Sequence, residues 1–524
     1  MDERVFLSGP MGSGKSHLAR ALSRQWKSEA VDLDALIEQR AGATVSQLFA
    51  QRGEAGFRTL ETEVLEGVLG GGARIVSLGG GTVKNRALRH RLLREGTLIS
   101  LTASLDTLTA RVGTGGTRPL VAGQNVRQRL SELLDERGPI YAECHALLAT
   151  DAADPAALAR QISAVARERA IVVPLLDRTY RVHVGAGVRG RLGAELRRAV
   201  RGRQVVVVTD TGVEQPWAGE ARQAVEAAGF GTVPVCLAAG ETHKNIASIE
   251  AIWDAALDAG VDRDALVLAV GGGVVGDMAG FAAATILRGI GLAQLPTTLL
   301  AMVDSAVGGK TGIDRPQGKN LIGSFEQPRF VLCDIDTLST LPIEEVRAGL
   351  AEVIKSAWLD GEASVALLER HAAGLLAIDP DATTAAVRMS VKLKARIVTE
   401  DEKEAGARAL LNLGHTVGHA IEAAGGYAAV RHGEAVALGL VAAFRVARRL
   451  GHASGEQAER VTALLARMEL PTDVDRYLDE RALGFLSSDK KRQGGKVRFV
   501  VPGAPGSTQL VALSPEEIAR LTRA

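Results

Sequence analysis

Cysteine is scarce in this chain. Only Cys144, Cys236 and Cys333 occur in 524 residues, and none forms a CxxC pair. That excludes a disulfide framework and a cysteine-based zinc site. Aromatic residues amount to only 3%, which excludes stacking platforms for single-stranded nucleic acid. Charge of one sign is not in excess either. Lys+Arg total 62 and Asp+Glu 61, a net charge of +1, so overall charge draws the chain neither to nucleic acid nor to a membrane surface. Long apolar runs are missing. The most apolar stretch, residues 265–287, is broken by Asp277, whereas a membrane span needs about 20 largely uncharged residues. The amino terminus, MDERVFLSGPMGSGK, has neither a basic region nor an apolar core of the secretory kind. The expectation is a cytoplasmic protein of small-molecule substrates, with no nucleic-acid and no membrane partner.

Glycine, by contrast, is abundant at 59 residues, and apolar residues reach 46%. At about 150 residues per domain the length suggests three or four units. The pattern is α/β. Arg4–Ser8, Arg74–Leu78 and Gly96–Leu101 read as strands alternating with helical segments such as Asn85–Arg94, a rhythm that implies a parallel sheet covered on both faces. Asp151–Arg169 reads as a closing helix, which puts a boundary near residue 170. Gln204–Thr209 and Ala265–Val270 are buried-strand signatures of a second α/β region. After about residue 340 strands fade and helices are expected, among them Glu344–Trp358, Ala382–Val398, Gly414–Ala424, Gly433–Leu450 and Gly455–Met468.

Two clusters carry chemistry. The first is Gly9-Pro-Met-Gly12-Ser13-Gly14-Lys15-Ser16, which fits GxxxxGK[ST] between a strand and a helix. Backbone N–H groups of Gly12, Ser13 and Gly14 can cradle phosphate, Lys15 can reach the β/γ-phosphates, and Ser16 can hold Mg²⁺ of Mg-ATP. Asp32 and Asp34 follow the next strand. One carboxylate can support the metal and the other can orient or deprotonate a hydroxyl. Arg58, Arg118 and Arg137 suggest an anionic acceptor, because guanidinium grips carboxylates bidentately.

With these motifs in place, residues 1–168 resemble shikimate kinase. The carriers are GPMGSGKS, DLD at 32–34, FRTLE at 57–61, SLGGGTV at 77–83, TRPL at 117–120 and ERGPIYAE at 136–143. The resemblance implies that Asp34, Arg58, Gly80 and Arg137 bind shikimate and that Asp32 supports Mg²⁺. It implies that Glu61 holds the Arg58 region and that Arg118 belongs to a mobile lid over about 112–123.

The second cluster follows a strand as Gly271-Gly-Gly273-Val274-Val-Gly276. This satisfies GxGxxG, but no acid follows about 20 residues on, where an ordinary dinucleotide fingerprint has one. Asp210, at the end of QVVVVT, is the better ribose-ligand candidate. Three of the ten histidines, His415, His419 and His432, lie close in sequence. Imidazoles without cysteine suit a catalytic Zn²⁺ completed by a carboxylate such as Glu352, Glu422 or Glu434. Spacing alone favours His415 with His419, one helical turn apart.

Residues 169–524 resemble 3-dehydroquinate synthase. The carriers are GETHKN at 240–245, GGGVVGDMAGFAAAT at 271–285, PTTLLAMVDSAVGGKTGID at 296–314, GKNLIGSF at 318–325, GLAEVIK at 349–355, LNLGHTVGHAIE at 411–422, HGEAVALG at 432–439 and SDKK…GKVRFV at 488–500. The resemblance implies an NAD-binding α/β domain over 169–340 and a helical metal- and substrate-binding domain over 341–524. It implies zinc (or cobalt) on Glu352, His415 and His432, with His419 turned to the substrate phosphate. NAD contacts would come from Asp210, Glu241, Lys244, Gly273, Val274, Asp277, Thr297 and Thr298, with Lys310 and Lys319 beside them. Substrate groups would be Asp304, Asn320, Lys355, Lys394, Arg408, Asn412 and Lys496. Arg288 would come from a neighbouring subunit of a homodimer. The implied substrate is 3-deoxy-arabino-heptulosonate 7-phosphate. The resemblance implies that NAD⁺ oxidises one ring carbinol, that the new ketone acidifies the adjacent C–H so that phosphate leaves, that NADH returns its hydride, and that the ring opens and closes again as a carbocycle by an intramolecular aldol step.

Two positions depart from the family pattern, Ala306 for a usual serine and Asp314 for a frequent asparagine. Two other readings remain: a metal-dependent polyol dehydrogenase for the second half, and a non-catalytic ATP-sensing module for the first. The lysines at 310, 319 and 355 argue against a neutral polyol. Lys15, Asp32, Asp34 and Arg137 argue against a silent P-loop.

Overall fold

A computed structural model describes residues 4–113, 125–426, 429–490 and 496–523. Its contacts divide the chain into two compact units, Met1–Arg181 and Val182–Ala524. The division falls later than the 168/169 boundary read from sequence. One reason is Val172, which packs into the apolar core of the first unit.

The first unit is built on a parallel sheet in the order Ala30–Asp32, Ile75–Ser77, Val5–Ser8, Thr97–Thr102, Ala146–Ala149. Val5–Ser8 is buried along its whole length, as a central strand covered on both faces must be. The chain leaves its carboxyl end through the glycine loop into helix Lys15–Trp26. Gly12 and Gly14 take φ of +79° and +91°, values an L-side chain disfavours. Helix Val45–Gly70 starts at a capping box, Thr44 with Gln47, and bends at Gly53. It brings Arg58 and Glu61 against the glycine loop at 79–81.

The second unit carries a parallel array in the order Phe330–Asp334, Gly291–Pro296, Leu266–Gly271, Gln204–Asp210, Gly231–Leu237. Separate apolar clusters pack on its two faces, around Val206 and Val208 on one and Val205 and Val207 on the other. That split is the period-2 alternation of a strand buried on both sides. Helix Gly273–Thr285 follows Leu266–Gly271 directly. A hairpin, Lys310–Arg315 with Gly318–Phe325, projects from this region.

The expected helices follow as Ile343–Asp360, Pro380–Glu400, His415–Ala424, His432–Arg449 and Gly455–Arg467. The region is not purely helical. Val497–Pro502 pairs antiparallel with Thr508–Leu513, which corrects the expectation of helices alone. VRFVV and TQLVAL are short β-branched runs of strand type, bounded by a Gly/Pro turn. Among the described residues no helix is long and apolar enough to cross a membrane.

Candidate active sites

The P-loop borders a cavity of about 440 Å³ lined by Lys15, Asp32, Asp34, Arg58, Gly79–Gly81 and Arg137 among others. Lys15 Nζ donates to the carbonyls of Gly9 at 2.8 Å and Pro10 at 3.0 Å. Ser16 Oγ donates to Asp32 at 2.5 Å, so the two groups expected to hold Mg²⁺ already face each other. Asp34 sits on the first turn of the helix that Asp32 caps. Burial pushes its carboxyl up to about 6, with Glu61 and Asp32 adding to the rise and Lys15 and Arg58 opposing it. A carboxylate tuned in this way is suited to take a proton near neutral pH.

Arg58 is held from both sides. Glu61 accepts from it at 2.7 Å, and the rings of Phe49 and Phe57 lie 5.9 and 5.3 Å from its guanidinium carbon. Glu61 also accepts from Thr82 at 2.6 Å, which ties the arginine to the 79–81 loop. A side chain at Gly81 would overlap the Arg58 guanidinium. The Gly80 carbonyl accepts from Tyr141 at 2.5 Å and Arg137 at 3.5 Å. Every sequence-predicted residue of this site except Arg118 is thus brought together. Arg118 lies outside the described residues, as does most of the expected lid.

Sequence reasoning missed Arg111. It donates to Gly12 of the P-loop at 3.3 Å and to Thr150 at 2.9 and 2.7 Å. An arginine seven residues ahead of Arg118 was the available signal.

In the second unit three helices converge. Glu352 lies on Ile343–Asp360, His415 opens His415–Ala424, and His432 opens His432–Arg449. Glu352 Oε1 is 3.4 Å from His415 Nε2 and 3.7 Å from His432 Nε2. It is buried and has no hydrogen-bond partner among the described residues. The opposite ring nitrogens are engaged: His415 Nδ1 meets the Leu413 carbonyl at 3.2 Å, and His432 Nδ1 meets Glu422 at 3.0 Å. This is the outer-shell arrangement that orients imidazole ligands. Two imidazoles and a carboxylate around an orphaned oxygen fit a divalent metal. Burial, helped by Lys355, holds His415 down to about 3, the neutral form a ligand needs. Burial opposes charge on His432 as well, but Glu352 and Glu422 outweigh it and push that ring up to about 10.

The spacing-based pair is corrected. His415 and His419 stack edge to face at 5.1 Å, yet the convergent groups are Glu352 with His415 and His432, and His419 with Glu422 and His432. His415 and His419 share a helix face, but each converges with His432 from the next helix in a different group, His415 with Glu352 and His419 with Glu422.

Basic groups surround this centre, each with a carboxylate or carbonyl. Lys355 pairs with Glu352, and Lys394 with Asp304 at 2.5 Å. Lys310 pairs with Glu404, whose other oxygen accepts from Asn412 at 3.2 Å. Lys319 lies 3.6 Å from Glu241 and 3.5 Å from Glu422. Arg408 is buried and donates to Gly308 at 3.0 Å and to Glu402. Glu404 was missed from sequence. It stands in the charged segment Asp401-Glu402-Lys403-Glu404 and carries a left-handed φ of +61°.

On the cofactor side, Gly273 starts its helix, and a Cβ there would press on Ser305 Oγ. Val274 is half-buried in the first turn. Lys244 is buried and pairs with Asp277 at 2.7 Å. Burial pushes Asp277 up to about 6, against Lys244. Thr297 Oγ1 is buried without a partner among the described residues, and Thr298 Oγ1 accepts from Ala301 at 3.1 Å. A helix N-terminus, close backbone and an orphaned hydroxyl fit a dinucleotide phosphate. Asp210 accepts from Gly212 at 2.8 Å, so it also caps its own turn. Arg288 (φ +68°) and Lys496 are both exposed, and the contacts above do not gather them into the site.

Comparison with known proteins bears on both sites. Residues 11–167 match the family model of shikimate kinase. Residues 234–348 and 349–492 match those of 3-dehydroquinate synthase, N-terminal and C-terminal. The chain is 45% identical over 353 residues to 3-dehydroquinate synthase of Pelobacter propionicus, covering 67% of this chain and 98% of that protein. It is 44% identical over 353 residues to the enzyme of Nostoc punctiforme, covering 67% and 97%. Among solved structures it is similar to 2-epi-5-epi-valiolone synthase from Streptomyces hygroscopicus, which has NAD⁺ and Zn²⁺ bound (27% identity, TM-score 0.58, covering 65% and 95%). A 2-deoxy-scyllo-inosose synthase shares the fold, at 24% identity and TM-score 0.61 over 68% and 99%.

Proposed function

Because the chain belongs to the 3-dehydroquinate synthase family and joins a shikimate kinase domain to it, we propose residue roles for both of its reactions. It phosphorylates shikimate with ATP, and it converts 3-deoxy-arabino-heptulosonate 7-phosphate to 3-dehydroquinate and phosphate. The 3-dehydroquinate synthase family stands in place of the polyol dehydrogenase reading of the second half, and the shikimate kinase family model in place of the ATP-sensing reading of the first.

In the kinase site the P-loop and Lys15 hold the phosphates, and Ser16 and Asp32 hold Mg²⁺. Arg58, Arg137 and the Gly80 backbone grip the shikimate carboxylate and ring hydroxyls. Asp34 accepts the proton of the attacking hydroxyl. Arg118 balances charge on the transferred phosphoryl group.

In the synthase site Glu352, His415 and His432 would hold the divalent metal. Asp210, Glu241, Lys244, Asp277, Thr297 and Thr298 would hold NAD, with Gly273 and Val274 at the helix N-terminus. When bound, these two groups polarise a ring hydroxyl and carry its hydride away and back. Lys310, Lys319, Asn320, Lys355, Lys394, Arg408 and Asn412 orient the anionic sugar. His419 faces the phosphate that leaves, and Asp304 keeps Lys394 in place. Arg288 joins from the second copy in a homodimer, Lys496 contacts substrate, and the enzyme works in the cytoplasm.

The observation that carries the synthase reading is the orphaned Glu352 oxygen facing two imidazole nitrogens. One preparation tests both reactions. Lys15→Ala should end shikimate-dependent ADP release and spare phosphate release from the heptulosonate phosphate, and His432→Ala should do the reverse. Synthase turnover that survives His432→Ala in metal-free buffer would refute the metal assignment.

A further inference from the structure

Asp314, one of the two departures from the family pattern, takes no part in the chemistry above, yet it touches both sides of the synthase site. It sits at the irregular step of the hairpin. Pairing passes from Ile313–Ile322 to Arg315–Gly318 and leaves Asp314 without a partner in the register. The step spans two residues on this strand, 313 to 315, and four on the other, 318 to 322, so the extra residues of the bulge lie within 319–321, opposite Asp314. Asp314 Oδ1 accepts the backbone N–H of Asn320 at 2.8 Å. Asn320 holds a left-handed φ of +55°, which asparagine tolerates when a local hydrogen bond supports it.

The Asp314 backbone N–H donates to the Lys244 carbonyl at 2.8 Å. Lys244 is fixed in turn by Asp277. Lys319, beside Asn320, reaches Glu241 and Glu422. One residue therefore joins the cofactor-side segment 241–244 to the substrate-side turn 318–320. Burial and the nearby Glu241 raise the Asp314 carboxyl, while the Asn320 N–H and Lys244 act against that rise.

We propose that Asp314 is a positioning residue whose side-chain oxygen fixes Asn320 in its left-handed turn and thereby aims Lys319 and Asn320 at the sugar phosphate. The proposal rests on the substrate-side reading of Lys319 and Asn320 given above.

The test uses the full chain. It follows KM and kcat for phosphate release, together with amide hydrogen exchange across 318–325. Asp314→Ala should raise KM about tenfold with kcat nearly unchanged, the size expected for one hydrogen bond to a charged acceptor. The Asn320 amide should lose protection, while strand Leu266–Gly271 keeps it. Asp314→Asn retains an acceptor oxygen and should restore both KM and protection. The proposal is overturned if the Asn320 amide stays protected in Asp314→Ala, or if Asp314→Asn is no better than alanine. Should the alanine variant unfold, the asparagine variant decides: protection kept supports the proposal, protection lost refutes it. Asn320→Ala serves as the control. If it leaves KM unchanged, the substrate-side reading of Asn320 falls, and the exchange data still report separately on the Asp314 bond.

Discussion

Asp34 shows how one carboxylate is fitted to its task by its surroundings. Burial lifts it from 3.8 to about 6, and only its ionised form can take a proton. Kinase turnover should therefore rise as pH rises through about 6, which a pH profile of shikimate-dependent ADP release would show. Asp34→Asn should lower kcat by about 100-fold or more, the usual loss for a general base. The stability effect has the opposite sign. The folded protein binds this proton more tightly than the unfolded chain does, so the contribution is full below about 4 and is lost as pH climbs through about 6. At this scale the sequence was most legible where residues are contiguous. GPMGSGKS is one loop, and its chemistry needs no tertiary contact to recognise. Glu404 and Arg111 were hidden because their partners, Lys310 and the Gly12 carbonyl, lie 94 and 99 positions away in the chain.

Among elements, the close approach of helices matters most. Gly433 and Gly439 both lie on helix His432–Arg449. A Cβ at Gly433 would overlap the Ala348 backbone, and one at Gly439 would overlap the Gly414 carbonyl. These two glycines let the helices carrying Glu352, His415 and His432 come near enough to share a ligand set. Gly439→Ala should cost about 1–3 kcal/mol, as overpacking in a tight interior does, and should lower the zinc retained after dialysis. Calorimetry and metal analysis check the two parts. Here sequence periodicity gave the helices to within a few residues but not their crossing. Hence the His415–His419 spacing pointed to the wrong pair. The strands at 497–513 were missed for a related reason: short β-branched runs are ambiguous once a region has been assigned to helices.

For the whole molecule, two catalytic inventories share one chain and no catalytic residue. A zinc-selective chelator in excess Mg²⁺ should stop phosphate release and leave ADP release intact, and added zinc should restore the first. Loss of both activities together would contradict separate inventories. The paired lysines of the synthase site have a kinetic consequence. Lys244, Lys310, Lys319 and Lys394 each face a carboxylate that is not among the metal ligands, so these four lysines cast little net field into solvent. An incoming sugar phosphate is then captured by short-range exchange of partners, not drawn in from a distance. Its association rate should change little between low and physiological salt, unlike that of an electrostatically steered ligand.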